Sequence, residues 1–178
     1  MICTMQAHKS NSLESIISRS RELVQSGDYK QAYKLSRKAV ASGASDADLS
    51  LIYGVCAYAN ANPSEAIKSL RKALRLRPGF KDALFNLGRI LLACGKPEDA
   101  IDHLSRLATD HPDFPGAQTN LAAAYYSSGQ LEPAGVAYQK AIDLAPENPE
   151  TAELYNLLGS IYREREANAL SEKAFRKA

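Results

Sequence analysis

Three proline turns recur at one fixed interval: Pro78, Pro112 and Pro146 stand 34 residues apart. The same interval separates Ala66, Ala100 and Ala134, then Tyr53, Leu87 and Leu121, then Gly54, Gly88 and Ala122. Four series agreeing on one period make the chain a repeat protein, and a period of this length admits one supersecondary unit per repeat. Cutting accordingly gives a tail at 1–12 and units at 13–46, 47–80, 81–114 and 115–148. An incomplete fifth unit, 152–178, follows the insertion Pro149-Glu150-Thr151 and is re-registered by Leu158, Gly159 and Tyr162.

Within each unit the apolar residues fall at helical spacing, as in Leu84, Leu87 and Leu91, then Ile101, Leu104 and Leu107. A break divides the two runs at Gly27-Asp28, Asn62-Pro63, Gly95-Lys96-Pro97 or Gly129-Gln130. Pro63 suits a first helical turn, where the missing N–H costs nothing, and Asn62 before it is a plausible N-cap. Each unit is therefore a helix–turn–helix pair.

The pattern of a small residue eighth, an aromatic or leucine eleventh, alanine twentieth and proline thirty-second resembles the tetratricopeptide repeat. The eighth places hold Ser20, Gly54, Gly88, Ala122 and Gly159, and the twentieth Ala32, Ala66, Ala100, Ala134 and Ser171. Small side chains there let helices approach closely. The fold expected is an all-α, right-handed α-solenoid of about five units. The first unit departs most, with Arg19 and Ser36 at apolar places, as a polar end cap would.

Composition excludes several classes. Apolar residues at 45% and charged residues at 24% are those of an ordinary globular chain. A net charge of +2 does not mark a nucleic-acid binder. The basic run Lys68, Arg71, Lys72, Arg75 and Arg77 reads as a solvated outer face. No apolar run approaches a membrane span. Cys3, Cys56 and Cys94 form no CxxC pair, which favours a reducing, cytoplasmic setting.

No catalytic set, cofactor motif or metal site is expected. Gly88 to Gly95-Lys96 has six residues between its glycines instead of a phosphate loop's four, and Pro97 stands where a magnesium-binding hydroxyl belongs. His8, His103 and His111 lack partners at metal spacing. Cys56 and Cys94 fall in first helices and read as packed small hydrophobes.

The resemblance implies a concave groove lined by first helices, at places two, five, six, nine, twelve and thirteen of each unit. Carried onto this chain, it implies a peptide-binding or helix-binding groove around Leu51, Val55, Phe85, Asn86, Arg89, Asn120 and Tyr126. Asn86 and Asn120, both at the sixth place, resemble the asparagine ladder of the O-GlcNAc transferase superhelix, although Ile52 and Leu157 hold the places either side. An amide both donates and accepts, so it can pair with a peptide backbone whatever its sequence. The carboxylate clamp of heat-shock co-chaperones is not matched. Its five places hold Leu51, Val55, Asn86, Gly116 and Asn120 in one register, and Phe85, Arg89, Asn120, Glu153 and Leu157 in the next.

The function expected is a non-catalytic protein–protein interaction module with a protein or peptide partner. The resemblance also implies two alternatives. Because the last unit is unfinished, the chain could be the substrate-recruiting arm of a larger glycosyltransferase, sulfotransferase or protein hydroxylase. It could equally be a scaffold that self-associates through an uncapped C-terminal helix.

Overall fold

The computed structural model describes residues 2–164 and 168–178. Among these residues there are ten helices and no strand: α1 (Ile2–Gln25), α2 (Tyr29–Ala41), α3 (Ala47–Ala59), α4 (Pro63–Leu76), α5 (Lys81–Ala93), α6 (Pro97–Asp110), α7 (Pro115–Ser127), α8 (Leu131–Leu144), α9 (Thr151–Glu164) and α10 (Asn168–Phe175). The fold class is all-α, built of repeated helix pairs. First helices begin at Ala47, Lys81 and Pro115, and second helices at Tyr29, Pro63, Pro97 and Leu131, each series keeping the 34-residue interval. Where the period places a tail at 1–12, α1 is helical from Ile2.

Local chemistry sets these boundaries. Asp28 caps α2 by accepting from the Gln31 amide at 3.0 Å, and Asp46 caps α3 through the Leu49 amide at 2.9 Å. Pro63, Pro97 and Pro115 open α4, α6 and α7, where no intrahelical donor is lost. At the other ends, Arg77, His111 and Ala145 have φ of −140°, −135° and −145°. Each precedes a proline whose ring excludes the helical conformation for the residue before it, so α4, α6 and α8 stop there. The first unit has Ala44 at the proline place and stops instead through Gly43, at φ +88°.

The turn inside each pair carries a further periodic feature. Gly27, Gly95 and Gly129 adopt φ of +80°, +69° and +78°, and Ala61, at the same place of its unit, adopts +60°. Left-handed backbone costs a non-glycine residue about 1–2 kcal/mol. Part of the gain from relieving it returns as added freedom of the unfolded chain, about 0.4–1 kcal/mol. Ala61→Gly is therefore expected to stabilise the protein by about 0.5–1 kcal/mol. Gly95→Ala, whose new methyl would meet open space, should destabilise by a similar amount through backbone strain alone. Thermal melts of the two variants should move in opposite directions, and a lower midpoint for Ala61→Gly would show that the turn is not strained.

The chain forms two compact units, Met1–Ile90 and Leu91–Ala178. In the first, α1 packs on α2, α3 on α4, and α3 also on α1 and α2. Ala32, Ile52 and Cys56 form a buried cluster there, closed by Ile17, Leu23, Val24 and Tyr33. In the second, α7 packs on α8, α9 on α10, α6 on α7 and α8 on α9. Its core gathers Ala122, Ala134, Tyr138, Ile142, Leu154, Leu158 and Ile161.

The small-residue places lie inside the packed helix pairs. Ser20, Gly54, Gly88, Ala122 and Gly159 are all buried, and Ala32, Ala66, Ala100 and Ala134 have no exposed surface. Ser36, at an apolar place, is also fully buried and returns its hydroxyl to the Ala32 carbonyl at 2.7 Å. The helix thereby absorbs a polar group that the sequence suggested for an exposed cap.

Candidate functional site

In the first unit the groove candidates lie on two first helices. Leu51 and Val55 are half-buried on α3, on the same helical face as Asp48 and the exposed Tyr58. Asp48 is bridged by Arg77 at 2.6 Å and approached by Arg21 at 3.6 Å, so a charged cluster borders the apolar pair. Ile52, read as part of the wall, is instead 7% exposed and belongs to the core. On α5, Phe85 and Asn86 are half-buried and Arg89 is exposed. The Arg89 guanidinium lies 5.5 Å from the Phe85 ring centroid, a cation–π distance. The Asn86 amide donates to the Asp82 carbonyl of its own helix at 2.8 Å.

In the second unit both candidates lie on α7. Asn120 is half-buried and donates to the Gly116 carbonyl at 2.7 Å, repeating the arrangement at Asn86. Tyr126 is exposed and donates its phenol to Glu164 of α9 at 2.9 Å. That bond, with the field of the same carboxylate, raises the Tyr126 phenol above its ordinary value. Leu157, next in the sixth-place series, packs against the core. Each of the two amides thus has one N–H engaged within its own helix, beside a second N–H and a carbonyl oxygen.

Cys56 has no exposed surface, and burial pushes its thiol up to about 11, which leaves it protonated at neutral pH. Cys94 is half-buried. Among the described residues no three His, Cys, Asp or Glu side chains are grouped to hold a metal ion. Nor is any helix among them long and apolar enough to cross a membrane.

One constellation escapes the period. Tyr33 of α2 and Tyr53 of α3 both donate to Glu65 of α4, Tyr33 to Oε2 at 2.5 Å and Tyr53 to Oε1. The two rings stack with centroids 5.4 Å apart and planes 12° apart. The two phenols, Tyr33 first, hold the Glu65 carboxyl below its ordinary range. The phenols move the other way: Tyr33 is raised chiefly by its bond to Glu65, and Tyr53 chiefly by burial and then by that carboxylate. Separations of 32 and 12 residues fall outside the 34-residue repeat, so comparing units hides the cluster.

A tetratricopeptide repeat model matches residues 57–115 and 95–158, and a second model of the same description matches 18–79. No curated protein sequence matches the chain significantly. Among solved structures, MamA 41-end from Desulfovibrio magneticus RS-1 is 22% identical with a TM-score of 0.82, the match covering 92% of this chain and 91% of that one. A MamA AMB-1 structure is 18% identical with a TM-score of 0.84, covering 94% of this chain and 90% of that one. A further crystal structure of MamA is 24% identical with a TM-score of 0.80, covering 89% of this chain and 91% of that one. At these identities the likeness is one of fold, the all-α solenoid class.

Proposed function

Since the chain belongs to the tetratricopeptide repeat family, a family of interaction modules, we propose that it holds an extended peptide or a helix against the first helices of its units. Leu51, Val55, Phe85 and Tyr126 would supply apolar and aromatic contact, and Asn86, Asn120 and Arg89 orientation. The observation that carries the reading is the shared arrangement of Asn86 and Asn120. Each sits at the sixth place of its unit, and each is held by its own helix's carbonyl four residues back, at 2.8 and 2.7 Å. A side chain ordered before binding loses less entropy when it binds. Each amide can pair with an N–H and a C=O of an extended backbone, the role suggested by the resemblance to the O-GlcNAc transferase superhelix.

A photo-crosslinking residue placed at Val55 would capture the partner. Against that partner, Asn86→Ala combined with Asn120→Ala should weaken binding roughly tenfold, the value of one or two net hydrogen bonds. The melting temperature should hardly change, because both amides bond only within their own helices. An unaltered dissociation constant would remove the ladder from the reading and leave the apolar contacts.

Self-association is a second reading, favoured by one observation. Val136, Leu144, Leu170 and Phe175 of the second unit are 66%, 37%, 51% and 39% exposed. Sedimentation at increasing concentration separates the two readings, because only self-association raises the mass.

A further inference from the structure

Lys68, Lys72 and Arg75 of α4, expected from the sequence on a solvated outer face, border a pocket. The pocket, of about 170 Å³, is floored by Val40 of α2, Tyr53 of α3 and Ser69 of α4. Its rim carries Lys68, Lys72 and Arg75, which follow one another at helical spacing on a single face. We propose that this rim and pocket form a second interaction surface, which takes an acidic peptide segment and seats one of its apolar side chains between α2, α3 and α4. The surface lies apart from the first-helix face of the groove reading and does not rest on it.

Three observations support this occupant. First, charge is segregated. The pocket is lined by Lys68, Lys72 and Arg75 against Glu65 alone, while Arg77 farther along is taken by Asp48. Second, the rim cations are not locked into close ion pairs, although Lys68 feels the field of the Glu65 carboxylate. Neither Lys68 nor Arg75 takes part in a salt bridge among the described residues, and Lys72 only approaches the Ala44 carbonyl at 3.5 Å. Glu65, the one carboxylate at the rim, has an oxygen committed to each of two phenols. Third, the floor distinguishes a peptide from a nucleic acid. Bases need open aromatic faces on which to stack. Here the Tyr33 and Tyr53 rings stack on each other, and Tyr53 is 6% exposed. A pocket of this size with an apolar floor suits a single leucine or methionine side chain, with carboxylates either side reaching the rim.

The test uses the full chain, nitrogen-15 labelled, and two synthetic probes: acetyl-Glu-Asp-Leu-Asp-Glu-amide and the same peptide with glycine for leucine. A thymidine oligonucleotide of equal charge is the third ligand. The expected result is shift changes centred on Val40, Ser69 and Lys72, with the leucine peptide bound several-fold more tightly than the glycine one. Lys68→Glu with Lys72→Glu should weaken it about tenfold, and added salt should weaken it further. Arg75→Glu, a change at an exposed side chain, carries the same test should the double variant melt early. The proposal is overturned by any of four results: no shift changes, changes centred on α3 and α5 instead, equal binding by the charge-reversed variants, or tighter binding of the oligonucleotide.

Discussion

Gly54→Ala is expected to lower stability by about 1–2 kcal/mol, although it replaces a helix-disfavouring residue with the best helix former. Gly54 lies inside α3 where that helix crosses α4. A methyl built there would stand 2.8 Å from Leu70 Cγ and 3.2 Å from the Ala66 carbonyl oxygen. Leu70 and Ala66 have no exposed surface, so neither has room to withdraw. Overpacking of a tight core costs about 1–3 kcal/mol, against roughly 0.5–1 kcal/mol recovered from helix propensity. At this chain length the melting temperature should fall by roughly 3–6 °C. Gly135, inside α8, supplies the control. Its methyl would find Ile161 and Leu158 at 3.7 Å, ordinary contact distance. Gly135→Ala should therefore stabilise by about 0.5–1 kcal/mol. Two identical substitutions of opposite sign would separate crossing distance from propensity, and a stabilising Gly54→Ala would deny that α3 and α4 meet so closely.

Glu65→Ala is the second large effect. It leaves the phenols of Tyr33 and Tyr53 without their acceptor, and Tyr53 is almost wholly buried. Hydrogen bonds to a charged group contribute about 1.5–3 kcal/mol where buried, and partial solvent access at Glu65 reduces that to about 1–2 kcal/mol overall. The pH dependence follows from the directions of shift. Glu65 titrates below its ordinary 4.5, so its contribution is complete above that value and is lost as pH falls through the lowered one. Tyr33 and Tyr53 titrate above their ordinary 10.0, so their contribution is complete below pH 10 and is lost as pH rises through the raised values. Glu65→Gln keeps one acceptor and removes the charge. Its urea midpoint should be nearer the native one, and the acid-side loss due to this cluster should disappear. Retention of the full acid-side loss would assign it to other carboxylates.

The parts of the fold legible in the sequence are those repeated by every unit. Proline at 78, 112 and 146 follows a helix end each time, because its ring acts on the residue before it without help from tertiary structure. Small residues at the eighth and twentieth places mark crossings for the same reason in each pair. Single residues and side-chain conformers are less legible. Ala61 reads as a good helix former, and only comparison with Gly27, Gly95 and Gly129 shows that it occupies a left-handed turn. Ile52 and Asn86 share a place number, yet one is core and the other half-buried, since neighbouring side chains decide which way a helix rolls. The candidate site was legible only as positions. That both asparagine amides turn back to their own helices is a rotamer choice, and no spacing encodes it.

The pattern of helix contacts has a consequence for how the chain comes into being. In each compact unit the packing helices are neighbours or next neighbours along the chain: α1 with α2 and α3, α3 with α2 and α4, then α6 through α10 in sequence. The loops closed are short, and the entropy of closure is correspondingly small. During synthesis, a helix in such a unit needs as partners only segments made just before or just after it. Burial can begin while the remainder is still being translated, and little apolar surface has to wait exposed for a distant strand or helix.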